Sequence, residues 1–308
     1  MLTSSREMLM FILHRQLHNL VDVARRLLTS GGLAQSLRSG SLTGLLVGGI
    51  LLRPDLLPAE PVTVRYKEGS IHGFLVLRTM EGKTLAAGDL IHLIRGDRVV
   101  SRLVFRFKDG SVDDETATFS QRGNFRLISD HHIQKGPAFP HPTDVLINAA
   151  TGQVTVRFRE NGQEKVETDH LELPPDLANG IVLSVLKNIR PDTTETKLSY
   201  VAATPKPRLV KLSIVPQGEE AFFIAGSRRK ATRFVVKVEL GGVAGIIAPL
   251  LGKQPANTSV WIAGGQAPAF VKLEGPLYLG GPIWSIEMTS PVWQRSPQKI
   301  VPDDPQKK

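Results

Sequence analysis

The 308-residue sequence contains no cysteine. This excludes disulfide bonds, a thiol nucleophile, a cysteine-ligated zinc site and the lipidated cysteine of bacterial lipoproteins. The absence does not specify a compartment, because a β core of this size is stable without covalent cross-links. The charged content of 22 % also argues against wholesale disorder.

Dense basic clusters are few for a chain with a formal charge of +9. They are confined to 25–26, 228–230 and 307–308, and none is interleaved with aromatic residues along the sequence. Elsewhere basic residues alternate with acidic ones. Because single-stranded nucleic acids bind to basic grooves with aromatic stacking positions, the sequence predicts no nucleic-acid partner.

The first 59 residues lack the alternation that follows them, and we expect them to form a separate leader. Apolar residues at helical spacing predict an amphipathic helix over 6–28. The uncharged stretch 42–52 is too short to span a bilayer but has the length of a signal-peptide hydrophobic region, with a cleavage site after Ala59. The mature product is then periplasmic or secreted. The alternative is a cytoplasmic helix that packs on the domain.

From about residue 60 to 292 the apolar residues follow a two-residue period, as in 103–107 and 154–158. The turn dipeptides between such runs are Gly96-Asp97, Asp109-Gly110, Thr151-Gly152 and Asn161-Gly162. Closely spaced turns favour antiparallel hairpins, since parallel strands need long crossovers. The sequence therefore predicts a mostly β meander, followed by a disordered tail at 293–308.

One helix is predicted within the strands, over about 176–189, because apolar residues there line one side and Pro191 ends it. A single amphipathic helix in a β domain covers an open face or end of the sheet. Further strands are predicted at 197–203, 208–215, 220–226, 230–240, 258–264, 269–275 and 283–289.

Three segments carry a family resemblance in their order: PPDLANGIVLSVLKNI at 174–189, SRRKATRFVVKVE at 227–239 and VWIAGGQAPAFVKLEGPLYLGGPIWSIEM at 260–288. Over roughly 60–290 the layout resembles exported bacterial β proteins known only as a domain of unknown function. The resemblance implies a curved antiparallel sheet, or an incomplete or closed barrel, like that of lipoprotein-localisation carriers. It brings no catalytic residues, and the chain departs from it in its long leader and in 241–251.

An Asp/His-rich region at 113–144 is the candidate for metal or hydrolytic chemistry. Imidazoles with nearby carboxylates bind zinc and related metals. His131 and His132 point to opposite faces of a strand, so a metal needs one of them with His141 and a carboxylate such as Asp130. The alternative is a polar hairpin face with solvated histidines, and we predict no cofactor.

Known catalytic motifs are missing. There is no Gly-x-Ser-x-Gly elbow, and neither the phosphate-loop spacing nor the dinucleotide-binding glycine pattern is met near 241–254. A carboxylate pair for glycoside hydrolysis stays open beside the metal alternative, because only the separation of the two groups in space identifies such a pair.

The uncharged, Gly- and Pro-containing stretch 241–251 is predicted to be an apolar loop over the sheet that touches a lipid-like ligand or a membrane surface. The alternative is a connection that plugs the core. The predicted ligand-binding residues are Ile246, Ile247, Leu250, Leu251, Trp261, Phe270 and Trp284.

Three functions follow from these patterns. The first is non-catalytic binding of an apolar or lipid-like molecule in a curved β cavity of the cell envelope. The second is a metal- or carboxylate-dependent hydrolase that uses 113–144. The third is a structural envelope protein without a small-molecule ligand.

Overall fold

The computed structural model describes residues 61–160, 162–203, 206–224, 227–239 and 255–289. The predicted leader 1–59 with its helix 6–28, the segment 42–52, Ala59, the loop 241–251 with Ile246, Ile247, Leu250 and Leu251, and the tail 293–308 lie outside the described residues. Within them, no helix is both long and apolar enough to cross a membrane.

The described elements are fourteen strands and one short helix. The strands are β1 (Ile71–Thr79), β2 (Thr84–Arg95), β3 (Arg98–Phe107), β4 (Val112–Ser120), β5 (Arg126–Lys135), β6 (Thr143–Asn148), β7 (Gln153–Glu160), β8 (Gln163–His170), β9 (Thr196–Ala202), β10 (Arg208–Ile224), β11 (Ser227–Glu239), β12 (Thr258–Ala263), β13 (Ala269–Gly275) and β14 (Trp284–Thr289). The helix α1 is Val182–Leu186.

All fourteen strands belong to one antiparallel sheet, which confirms the predicted meander. Strands β1 to β8 pair in sequence, as do β9 to β14, and β1 pairs with β14. The predicted turn at Asp109-Gly110 joins β3 to β4, with Gly110 at φ 85°. Because β8 and β9 are the two edges, the hydrogen-bonded ladder of the described strands is not closed.

The sheet is strongly curled. Strands β5 and β13 are six steps apart in the sheet order, which corresponds to roughly 29 Å in a flat sheet. Yet Phe139, which follows β5, and Tyr278, which follows β13, place their ring centroids 5.8 Å apart. The contact runs across the buried face, so that face is concave and encloses the core.

Alternation along the strands separates a buried face from a wet one. On β3, for example, Phe105 and Phe107 are buried while Arg106 is exposed. Arg106 forms an ion pair with Asp89 of β2, at 2.8 Å. The outer face is therefore a ladder of cross-strand ion pairs, and the inner face carries the apolar core.

Two predicted strands, 208–215 and 220–226, are parts of one. Strand β10 continues through both because it bulges against β11, with a register shift between Pro216 and Glu219. Gly218, at φ 95°, supplies the backbone conformation that this bulge needs. A bulge and a turn share the same glycine signal, so the sequence pattern did not distinguish them.

The predicted covering helix over 176–189 is wrong in extent, because only Val182–Leu186 is α-helical. The residues before it bond to β9 instead of to their own helix. Ala178 N–H donates to Ser199 O at 3.0 Å, and Ser199 N–H donates to Asp176 O at 3.3 Å. These bonds to β9 replace the first helical turns.

The rest of the covering segment, defined as 174–189, also competes with helix formation. The Asn179 side chain bonds both the N–H and the C=O of Val201, and Gly180 adopts φ 65°. The amphipathic pattern was nevertheless a correct guide to burial. The buried apolar residues of the segment are Leu177, Ala178, Ile181, Val185, Leu186 and Ile189.

Candidate functional site

A cluster of acidic residues and one histidine lies on the concave face, among apolar core residues. Strand β4 turns Asp113 and Glu115 to this face, and β5 turns Asp130 and His132 to it. Glu115 and His132 are directly opposite each other across the two strands, as are Ala117 and Asp130. These four titratable residues are called the interior polar cluster.

The cluster is held by one short ion pair. His132 Nε2 lies 2.6 Å from Asp113 Oδ1, and the two side chains are 25 % and 9 % exposed. Burial disfavours the charged ring, but the hydrogen bond to Asp113 and the charges of Glu115 and Asp130 outweigh it. Together they raise the pKa of His132 to about 10. The imidazole is therefore a cation at neutral pH.

The pKa values of the other two carboxyl groups are raised. Burial, together with the charge of Asp113, raises the pKa of Glu115 against the opposing charge of His132. Burial and the charge of Glu115 raise the pKa of Asp130 well above its usual range. Burial of the Tyr200 phenol on β9, together with the charges of the acidic residues of the cluster, raises the pKa of Tyr200. The cluster therefore binds protons more tightly than free carboxyl groups do.

The covering segment closes over this cluster at Gly180. A Cβ atom at Gly180 would lie 2.6 Å from both Ala117 Cβ and Asp130 Oδ1, so only glycine fits. Asp130 Oδ1 is fully buried and has no hydrogen-bond partner in the described structure. The segment thus packs against a carboxyl oxygen that accepts no hydrogen bond.

An aromatic cluster occupies one end of the concave face. Phe107 at the end of β3 contacts Phe139 and Trp284, each with ring centroids 5.5 Å away. Tyr278 closes the group, 5.8 Å from Phe139 and 6.2 Å from Trp284. Two loops supply half of it, since Phe139 lies in the loop 136–142 and Tyr278 in the loop 276–283.

Gln134 connects the aromatic and polar clusters. It lies opposite Asp113 across β4 and β5, and its amide donates to Leu277 O at 2.9 Å. Leu277 directly precedes Tyr278. The concave face therefore offers aromatic surface and a charged group side by side, which is the combination that an amphipathic molecule requires.

The three residues predicted to bind a metal do not form one set of ligands, although His132 and Asp130 share the concave face. His132 is paired with Asp113, and Asp130 faces Gly180. His141 lies in an exposed loop and has no hydrogen bond within the described part of the chain. Among the described residues, no three His, Cys, Asp or Glu side chains are placed to hold a metal ion.

The predicted ligand-binding residues that are described lie on two different faces. Phe270 and Trp284 are buried in the core, 7 % and 6 % exposed. Trp261 alternates with the buried Val260 and Ile262, so it lies on the outer face. There its N–H donates to Glu220 at 2.8 Å. Of these three predicted residues, only Phe270 and Trp284 can line an interior site.

Sequence reasoning missed a second buried polar group, around Glu68. Its carboxylate forms an ion pair with Lys187 at 2.5 Å, and His92 Nδ1 lies 3.3 Å from it. Burial opposes ionisation, but hydrogen bonding to His92 and the charge of Lys187 lower the pKa of Glu68 to about 2. Gln121 also bonds the Glu68 backbone. The group anchors the end of the covering segment, and no local pattern signals it because its members are far apart in sequence.

Comparisons with known proteins reveal one likeness of fold. The chain is similar to a solved β-barrel-like protein of domain of unknown function DUF1849 from Brucella abortus, at 8 % identity and a TM-score of 0.40. The likeness covers 74 % of this chain and 100 % of that one. No family model matches, and no curated protein gives a significant match. The antiparallel layout predicted with the family resemblance is confirmed by the strand pairing itself.

Proposed function

We propose that the chain is a non-catalytic, exported protein of the cell envelope that binds an apolar or amphipathic, lipid-like molecule inside its curled sheet. The observation that carries this proposal is the aromatic cluster under the loops 136–142 and 276–283. Aromatic rings offer rigid apolar surface to an acyl chain or ring system. The neighbouring His132–Asp113 pair offers a polar contact for a head group.

The aromatic end is the part of the concave face that opens at least cost. Loops without a strand ladder open locally more readily than paired strands do. The contacts that fasten these two loops are few hydrogen bonds, including Gln134 to Leu277 O at 2.9 Å and Ala138 N–H to Ser111 Oγ at 2.8 Å. A ligand that separates the two loops therefore breaks few hydrogen bonds of the protein main chain. The covering segment 174–189, in contrast, is held by main-chain hydrogen bonds to β9 and by the ion pair between Lys187 and Glu68.

The test is native mass spectrometry of the full chain purified from the envelope of its own host. The expected result is a co-purifying lipid mass that organic extraction removes. An empty monomer would overturn the binding proposal. N-terminal sequencing of the same sample tests export separately: a mature protein that begins near Glu60 supports it, and an intact Met1 contradicts it.

A matched pair of variants locates the site. Tyr278→Ala removes a ring of the aromatic cluster, whereas Leu279→Ala changes the next residue, whose side chain is 64 % exposed. With dansyl-labelled undecanoic acid as the fluorescent probe, Tyr278→Ala should weaken binding about tenfold, which equals about 1.4 kcal/mol. Leu279→Ala should leave it unchanged. Equal effects would place the ligand elsewhere.

A further inference from the structure

Strands β10 and β11 continue beyond the rest of the sheet. They pair with each other as far as Ile224 and Ser227. The pairing of β10 with β9 stops at Ile214, and the pairing of β11 with β12 stops at Ala231. Residues 219–224 and 227–230 therefore form a two-stranded projection, called the hairpin arm, with no strand on either side among the described residues.

The arm lies at the end of the sheet opposite the aromatic cluster. Ala231 of β11 pairs with Ala263 at the last residue of β12, whereas Trp284 pairs with Gly275 at the last residue of β13. Because β12 and β13 are antiparallel, these two positions are at opposite ends. The arm thus projects independently of any interior ligand.

One strand of the arm is apolar and exposed. Phe223 and Ile224 are 72 % and 59 % exposed, the highest and the third-highest exposures among the large apolar residues of the described chain. Phe222 precedes them and is half-buried. A two-stranded hairpin has no third layer to bury such side chains, so their apolar surface faces solvent in the free protein.

The other strand of the arm is basic. Arg228 lies opposite Phe223, and Arg229 lies opposite Phe222. Neither arginine has an ion pair within the described part of the chain. Strand pairing thus interleaves aromatic and basic residues that the linear sequence keeps apart.

The acidic residues of the arm lie at its base and are already neutralised. Glu219 pairs with Lys230 at 2.9 Å. Glu220 pairs with Arg233 at 3.7 Å and accepts from Trp261. The charged residues at the base of the arm therefore neutralise one another, whereas the positive charges of Arg228 and Arg229 near the tip have no acidic partner among the described residues.

We propose that the hairpin arm docks on anionic lipid bilayers, with Phe222, Phe223 and Ile224 entering the interface and Arg228 and Arg229 contacting lipid phosphates. Interfacial binding elements combine buried apolar side chains with basic residues at head-group depth. The residue nearest the tip, Ile224, is aliphatic and offers no stacking face. Binding of a single-stranded nucleic acid uses aromatic rings that stack on successive bases. An aliphatic residue nearest the tip therefore favours a bilayer as the partner.

The test is sedimentation of the full chain with vesicles of phosphatidylcholine containing phosphatidylglycerol. The double substitution Phe223→Ser with Ile224→Ser should abolish binding. Arg228→Gln with Arg229→Gln should weaken it about thirtyfold, since each basic residue near an anionic surface contributes about 1 kcal/mol. Binding of the wild type should fall steeply with added salt and with removal of phosphatidylglycerol.

Control variants lie elsewhere on the sheet and in the turn between β4 and β5, where the same residue types are exposed. Leu93→Ser and the pair Arg122→Gln with Arg126→Gln should bind as the wild type does. Circular dichroism should show every variant folded, because the substituted side chains are exposed. Unchanged binding by the arm variants would overturn the proposal. So would an arm-dependent dimer in light scattering, or arm-dependent binding of single-stranded DNA, if vesicles are not bound.

Discussion

Two neighbouring histidines of β5 show how strongly the two faces of this sheet differ. His131 lies on the outer face, 2.9 Å from Asp144, and the side chains are 43 % and 31 % exposed. His132 lies on the concave face, 2.6 Å from Asp113, in a pair that is mostly buried. The same two residue types therefore form an exposed hydrogen-bonded pair and a buried ion pair, one position apart.

The surroundings of each pair, more than its geometry, determine how much the pair contributes to the stability of the fold. The outer pair is joined by Arg157, which lies 3.4 Å from Asp144. Water and salt screen that ladder. The inner pair is surrounded by Glu115 and Asp130, whose pKa values are raised by burial, and His132 is the only basic residue among the four members of the interior polar cluster. Loss of the His132 cation then leaves the neighbouring acidic side chains of the cluster without a positive charge to face.

Substitution of His132 should have the largest effect. His132→Gln keeps most of the side-chain volume but removes the cation that Asp113 and its neighbours face. Breaking a buried pair in this way costs roughly 3–5 kcal/mol of unfolding free energy. Urea denaturation monitored by circular dichroism measures it.

The matched control is His131→Gln on the outer face. An exposed ion pair contributes about 0–1 kcal/mol, so this variant should unfold near the wild-type midpoint. Similar losses in the two variants would show that the concave face is wetter than the burial of Asp113 indicates.

Stability should fall as pH rises, because His132 holds its proton in the folded state. The pKa of His132 is raised from 6.5 to about 10, so its contribution is complete below pH 6.5 and is lost towards pH 10. One bound proton corresponds to at most about 1.4 kcal/mol per pH unit. Asp113, Glu115 and Asp130, the acidic groups that face the ring, all favour its protonated form.

Urea midpoints measured between pH 6.5 and pH 9 test this dependence. The wild type should lose roughly 2–3 kcal/mol over that interval. His132→Gln should show a flatter profile, and His131→Gln should keep the wild-type slope. A flat wild-type profile would contradict the assignment of the proton to His132.

Gly180→Ala tests how closely the covering segment packs on the cluster. The new Cβ would lie 2.6 Å from Asp130 Oδ1 and Ala117 Cβ, and alanine disfavours φ 65°. Strain and overpacking together should cost about 2–4 kcal/mol by thermal or urea unfolding. Gly82→Ala, at φ 88° with nothing within 4 Å, isolates the backbone term and should cost about 1 kcal/mol.

The sequence predicted the β fold because its signals are local. A two-residue period decides which face each side chain takes, and the opposite orientation of His131 and His132 followed from it. The Asp109-Gly110 turn likewise fixed antiparallel neighbours. These features depend on residues within one hairpin, so a single sequence suffices to predict them.

Features that depend on the curl of the sheet were beyond the sequence. The covering segment has a helical pattern, yet its first half bonds to β9, because Ser199 and Val201 offer main-chain partners that only the folded sheet brings near. Trp261 and Trp284 look alike in sequence but lie on opposite faces. The clusters around Asp113 and Glu68 join residues from different elements, and no regular spacing in the sequence indicates that they meet.

The smallest effect is expected from Asp144→Asn, which removes the outer-face charge that contacts both His131 and Arg157 while keeping the side-chain shape. Because Asp144 and its partners His131 and Arg157 are partly exposed, the loss should be about 1 kcal/mol or less in dilute buffer. It should vanish in about 1 M salt, where charges are screened beyond roughly 3 Å. A buried pair responds little to salt, so the salt dependence of Asp144→Asn and His132→Gln separates the two faces even if their total losses are close.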